Sequence, residues 1–169
     1  LKGARIDTVG FQYHVWTSAE PEAEKAVVSQ QFDPVNMYRV YDTFATLNRP
    51  FQMTEITFPC HDPESREAED LQAEVLRRLY TIWFGVPNME AVIYWNVVDG
   101  YAFNAEPGDF TAGENRLAGG LMHFDMTPKP ALKVIKQLFE QEFHTDTVDK
   151  TDERGKARFK GFYGCYDVE

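Results

Sequence analysis

The chain has 169 residues, is 43% hydrophobic and 14% aromatic, and carries a formal net charge of −10. That is apolar mass enough for the core of one ordinary domain, while the acidic balance argues against nucleic acid and anionic membranes as partners. No stretch reaches the roughly 18 apolar residues that cross a bilayer, no signal peptide is visible, and a first residue of Leu1 rather than methionine leaves the compartment open.

Residues 5–16, RIDTVGFQYHVW, read as a strand in which Phe11, Tyr13 and Val15 alternate with Gly10, Gln12 and His14. Polar residues 17–32 read as a loop. Asp33-Pro34 has the chemistry of a helix start, a capping acid followed by proline at the first helical position. Val35, Tyr38, Tyr41, Phe44 and Leu47 follow at helical spacing, up to Asn48. Between Pro50 and Pro59 lies a second strand, FQMTEITF, whose single charge is Glu55. A second helix is expected from Asp62-Pro63-Glu64, with Leu71, Val75, Leu79 and Trp83 inward, Leu76 and Tyr80 beside them, and Gly85 and Pro87 as the stop. Its early acids, Glu64, Glu67, Glu69 and Asp70, suit the helix dipole and read as solvated. Residues 91–98, AVIYWNVV, have the near-continuous apolar pattern of a parallel strand covered on both faces. A Gly- and acid-rich loop spans 99–120. GLMHFD is a short extended piece, Asp125 caps the turn after it, and a third helix begins near Pro130 with Leu132, Ile135, Leu138 and Phe139 inward.

Strands alternating with helices imply an α/β fold with parallel strands and right-handed crossovers. The tail differs: a turn is expected at 153–156, and ARFKGFYGCYDV, residues 157–168, alternates like a strand. The expected division is therefore a βα body over 1–143 and a β extension over 144–169. Cys60 and Cys165 can pair only if the C-terminus folds back to the end of the Glu55 strand. Neither they nor His61, His123 and His144 have ligand spacing, so no metal or other cofactor is expected.

In a regular parallel strand, residues 53, 55 and 57 point one way and 54, 56 and 58 the other. Ile56 and Phe58 suit the helix-packed face, which sends Glu55 to the opposite face, near the strand's C-terminal end. A lone glutamate there either faces water on an edge or is kept, despite the cost of burying a carboxylate, for chemistry. The neighbouring strands favour chemistry. Gln12 and His14 end the first strand; Trp95 and Asn96 lie late in the third, followed by Asp99. Three adjacent strands thus deliver polar and aromatic groups at the end that carries the active site of a (β/α) barrel.

In these residues the chain resembles glycoside hydrolase family ten, the retaining endo-β-1,4-xylanases. IDTVGFQYHVW, PFQMTEITFP, and YWNVVDGYAF followed by GGLMHFDMTPKPALKVI are similar to that family's last three βα units, from residue 4 to the third helix. KARFKGFYGCYDV is similar to a C-terminal β extension of some members. The resemblance implies an α/β fold, the C-terminal part (strands 6–8 with their helices) of a (β/α)8 TIM barrel with a short β appendage. It implies hydrolysis of xylan β-1,4 bonds with retention. Glu55 matches the nucleophile, His14 a histidine hydrogen-bonded to it, Gln12 their polar partner, and Trp95 the floor of the sugar site. Phe103 stands where a second tryptophan is usual and Asn96 where glycine is usual, narrowing the cleft. Asp99 either orders its loop or touches substrate.

Retaining hydrolysis needs two carboxyl groups about 5–5.5 Å apart. The family's acid/base, in an Asn-Glu pair after the fourth strand, has no counterpart here; Glu114-Asn115 has the reverse order and lies in a loop. A whole barrel takes roughly 250 residues. The expected partners are therefore xylan or xylo-oligosaccharides and an N-terminal half of the barrel, separate or missing. The resemblance alone implies a secreted, extracellular or periplasmic protein. The alternative is a non-catalytic carbohydrate-binding fragment; such modules are usually β-sandwiches, which three helical patterns oppose.

Overall fold

The computed structural model describes residues 3–15, 30–60, 62 and 64–167. Most of the loop expected over 17–32, together with His61 and Pro63, lies outside these residues. Strands β1 (Val9–His14), β2 (Phe51–Thr57) and β3 (Met89–Val92) form one parallel sheet in the order β1-β2-β3. Parallel neighbours require a crossover, and helices α1 (Pro34–Ala45) and α2 (Arg66–Phe84) supply it. Helix α3 (Pro130–Gln137) packs on α2 and ends in one π turn, Leu138–Glu142. No described helix is long and apolar enough to cross a membrane.

Local chemistry accounts for the helix starts. Asp33 caps α1 by accepting from Val35 N at 2.9 Å, with Pro34 in the first turn. The cap of α2 is Ser65, whose Oγ accepts from Ala68 N, and not Asp62; Asp62 builds the preceding turn, its carbonyl accepting from Ser65 N at 3.1 Å. The buried faces are also rotated from the expected stripes. On α1 the core takes Met37 and Tyr41 while Val35 is 64% exposed; on α2 it takes Gln72, Leu76, Leu79 and Trp83 while Leu71 is exposed. Several positions around each helix are apolar, and which of them is covered depends on where the sheet lies.

One face of the sheet packs on the helices. Phe11 meets Tyr41, Phe44 and Phe51 edge-on at 5.3–5.5 Å. Trp83, fully buried, donates its Nε1–H to the Tyr41 hydroxyl at 2.7 Å, and burial pushes that phenol up to about 12.

Two expectations are corrected. The third strand is not a strand over 91–98 covered on both faces. Its ladder ends at Val92, and Ile93 and Val97 are exposed. Extended backbone continues, with Ile93 N on Met53 O at 2.8 Å and Trp95 N on Ile56 O at 2.9 Å, until Asn96 turns the chain at φ +55°. The β appendage is absent: residues 144–167 contain no strand and are almost wholly exposed. They make a turn around Gly155 as expected, and Phe162 reaches the edge of Phe84. An alternating pattern without a neighbouring strand has no ladder to join, and an isolated strand is not stable in water.

Candidate active site

The uncovered face of the sheet holds the polar groups, and an irregularity in β2 decides which ones. Phe11 pairs with Met53, but Gln12 pairs with Glu55, so Thr54 is an extra residue in β2. Strict alternation from Met53, which is fully buried on the helix side, would have sent Glu55 into the core. The bulge resets the alternation. Met53 and Ile56 both face the helices, and Glu55 and Thr57 face the other way beside Gln12 and His14. The expectation that residues 53 and 55 share a face is thereby corrected, although Glu55 lies on the face assigned to it. Thr54 is held by its hydroxyl, which donates to Phe11 O at 3.1 Å, and its methyl group sits over Gly10, where a Cβ would come within 3.0 Å.

Glu55 accepts from Gln12 Nε2 at 2.8 Å on one carboxylate oxygen and meets His14 Nε2 at 2.9 Å on the other. A carboxylate only accepts, so Nε2 of His14 carries a proton; in the neutral ring, Nδ1 then accepts from the Thr57 hydroxyl at 3.1 Å. Thr57, buried and placed by alternation on the Glu55 face but given no role there, thus fixes the imidazole. The Trp95 ring stands edge-on to His14, centroids 6.3 Å apart at 84°. The structure therefore gathers Gln12, His14, Glu55 and Trp95 around one crevice at the C-terminal end of the sheet, with the carboxylate 28% exposed. Such a group is oriented, supplied with donors and open on one side, which suits attack on an electrophilic carbon.

Asn96 turns its amide onto Glu114, which also accepts from Trp95 Nε1 at 3.0 Å. Phe103 is 68% exposed on the same loop. Asp99 does not join the crevice as a substrate ligand. It is 3% exposed; one oxygen accepts from Gly120 N at 2.6 Å and the other pairs with the buried Lys129 ammonium at 3.0 Å. It orders the loop, whose interior is organised by Asn115, donating to Gly100, Glu106 and Asp109 carbonyls and accepting from Ala102 N. Glu69 is not solvated either: it is buried, with Oε1 3.2 Å from Nε2 of His123. Asp125 accepts from the amide and hydroxyl of Thr127, the turn expected of it. Both cysteines are free, Cys60 buried and Cys165 exposed. Among the described residues, no three of His, Cys, Asp and Glu converge as a metal site.

A groove of about 650 Å³ lies elsewhere, along β1 and α1 between Phe11, Tyr13, Met37 and Tyr41. Its described lining is mainly apolar and includes no acid or histidine.

The model of glycosyl hydrolase family 10 matches residues 1–138. Endo-1,4-beta-xylanase B of Thermotoga neapolitana is 28% identical over 145 residues, 83% of this chain and 36% of that protein. Native xylanase 10B from Thermotoga maritima superposes with a TM-score of 0.59 at 24% identity, covering 83% of this chain and 39% of that one. Xylanase 10B from Thermotoga petrophila RKU-1, solved in complex with xylobiose, gives 0.55 at 24% identity, with 83% and 38% covered. The chain thus spans little more than a third of the length of these relatives, and its parallel βα units have the fold of that part of a TIM barrel.

Proposed function

Since the chain belongs to glycosyl hydrolase family 10, we propose that it is the C-terminal catalytic part of a retaining endo-1,4-β-xylanase in which Glu55 is the nucleophile. The observation that carries this reading is the Glu55 carboxylate itself, held between Gln12 and His14, with the Trp95 indole edge-on to that histidine, at the C-terminal end of a parallel sheet. Hydrogen-bonding partners on both oxygens aim the carboxylate. Trp95 offers an apolar plane to the C–H face of a xylose ring. Glu55 attacks the anomeric carbon, and a second carboxyl group protonates the leaving oxygen and then activates water.

That second group is to come from an N-terminal half of the barrel. Two features support such a partner. Both outer strands pair only inward, β1 and β3 each with β2, among the described residues, and open parallel edges invite further strands. The apolar groove along β1 and α1 also borders the open edge. Secretion and xylan as natural substrate belong to the same proposal.

The test is xylan hydrolysis by the chain alone and by the chain co-expressed with the N-terminal half of a family 10 barrel. The expected result is little release of xylo-oligosaccharides alone, restored release with the complement, and loss of that release in Glu55→Gln. Robust hydrolysis by the chain alone refutes the missing half. Full activity of complemented Glu55→Gln refutes the nucleophile and leaves a carbohydrate-binding fragment.

A further inference from the structure

Glu114 was not marked by any motif, yet its side chain bonds the Trp95 indole and its backbone bonds that of Phe103. Its Oε2 accepts from the Trp95 indole at 3.0 Å and from the Asn96 amide, while its backbone N donates to Phe103 O at 3.0 Å. The local backbone is shaped for this. Asn96 adopts φ +55°, in the left-handed region that asparagine tolerates better than most residues. Gly113, before Glu114, adopts φ +48°, and a Cβ there would lie 2.2 Å from Asn104 O, so the loop closes on Phe103 as only glycine permits. Glu114 itself is half-buried at the start of a short 3-10 turn, Gly113–Leu117, whose next residue, Asn115, ties down the remainder of the loop.

We propose that Glu114 is a positioning residue that fixes both aromatic walls of the sugar site, Trp95 through its indole N–H and Phe103 through the backbone. Its sugar-binding consequence rests on the reading of the Glu55 crevice given above. A charged acceptor makes stronger hydrogen bonds than a neutral one, and one oxygen shared by two donors sets the indole plane relative to the turn at Asn96. Asn96 is therefore the second arm of the same clamp, its amide donating to the oxygen that also accepts from the indole.

The experiment records the indole N–H signals of the ¹⁵N-labelled 169-residue chain, with Trp95 assigned by Trp95→Phe, followed by titration with xylotriose. In Glu114→Ala the Trp95 signal moves upfield and exchanges faster with solvent, while that of buried Trp83 stays in place. Xylotriose affinity falls about tenfold, the order expected for loss of a charge-assisted hydrogen bond. Glu114→Gln, which keeps an acceptor oxygen, recovers much of both. An unmoved Trp95 signal in Glu114→Ala overturns the proposal. If Glu114→Ala loses the Trp83 signal and hence the fold, Asn96→Gly decides instead: it keeps the backbone turn and removes one donor, so a displaced Trp95 signal supports the clamp and an unmoved one overturns it. A displaced signal in a chain whose wild type shows no response to xylotriose overturns the sugar-site reading while supporting the clamp.

Discussion

Replacing Asp99 tests its role as the anchor of the loop. The Lys129 side chain is 0% exposed and that of Asp99 2%, and the ammonium is held by Asp99 Oδ2 at 3.0 Å and Ala118 O at 2.8 Å. Asp99→Ala leaves a buried cation without its counter-charge, which destabilises by about 3–5 kcal/mol. It also strips the acceptor from Gly120 N, worth about 1 kcal/mol more. With a urea m-value near 2 kcal/mol/M, the unfolding midpoint should fall by about 2 M. Asp99→Asn with Lys129→Met removes both charges and keeps an acceptor for Gly120 N. That pair should recover most of the loss, because neutralising a buried ion pair is often nearly neutral while halving it is not. Urea unfolding of the single and double variants measures the coupling. Additive effects, or a loss below about 1 kcal/mol for Asp99→Ala, would refute the anchor. Xylotriose binding by the double variant provides the functional arm: wild-type affinity is expected, whereas a stable protein that no longer binds would return Asp99 to the substrate site.

Two shorter tests address the bulge and the cysteines. Gly10→Ala places a methyl group 3.0 Å from the Thr54 Cγ2 and should destabilise by about 1–3 kcal/mol; Thr54→Ser, which lacks that carbon, should relieve most of it, and additive urea midpoints would show that the two residues do not compete for space. With both thiols free, Cys165 exposed, and the Cys60 thiol pushed up by burial, a thiol reagent at neutral pH should label Cys165 rapidly and Cys60 only on unfolding, since the thiolate is the reactive form. Equal rates would contradict the burial of Cys60.

The sequence was most readable where a residue's chemistry admits one placement. Asp33-Pro34 could only start a helix, and alternating Phe11, Tyr13 and Val15 could only be a strand facing a core. Reading faces from helical spacing did less well. Val35 and Leu71 fit the apolar period of α1 and α2, yet are exposed, because spacing gives the width of an apolar stripe and not the direction from which the sheet approaches. The tail failed for a related reason. Alternation in residues 157–168 is a property of one segment, whereas a strand needs a neighbour.

The acids show where such reading stops. Glu55, Glu69, Asp99 and Glu114 are alike as letters, and each is in or near a segment of defined structure. Their fates differ through partners far away in sequence: Gln12 and His14 for Glu55, His123 for Glu69, Gly120 and Lys129 for Asp99, Trp95 and Asn96 for Glu114. Even Glu55 reached its face by a route that alternation does not contain, through the extra residue Thr54. A bulge directly before the proposed nucleophile gives that side chain a direction of its own. Met53 remains in the core, Glu55 turns to the crevice, and Gly10 leaves the room in which Thr54 makes the exchange. On this argument the aim of the carboxylate depends on a glycine in the neighbouring strand, and a substitution there should disturb the crevice without touching any residue that lines it.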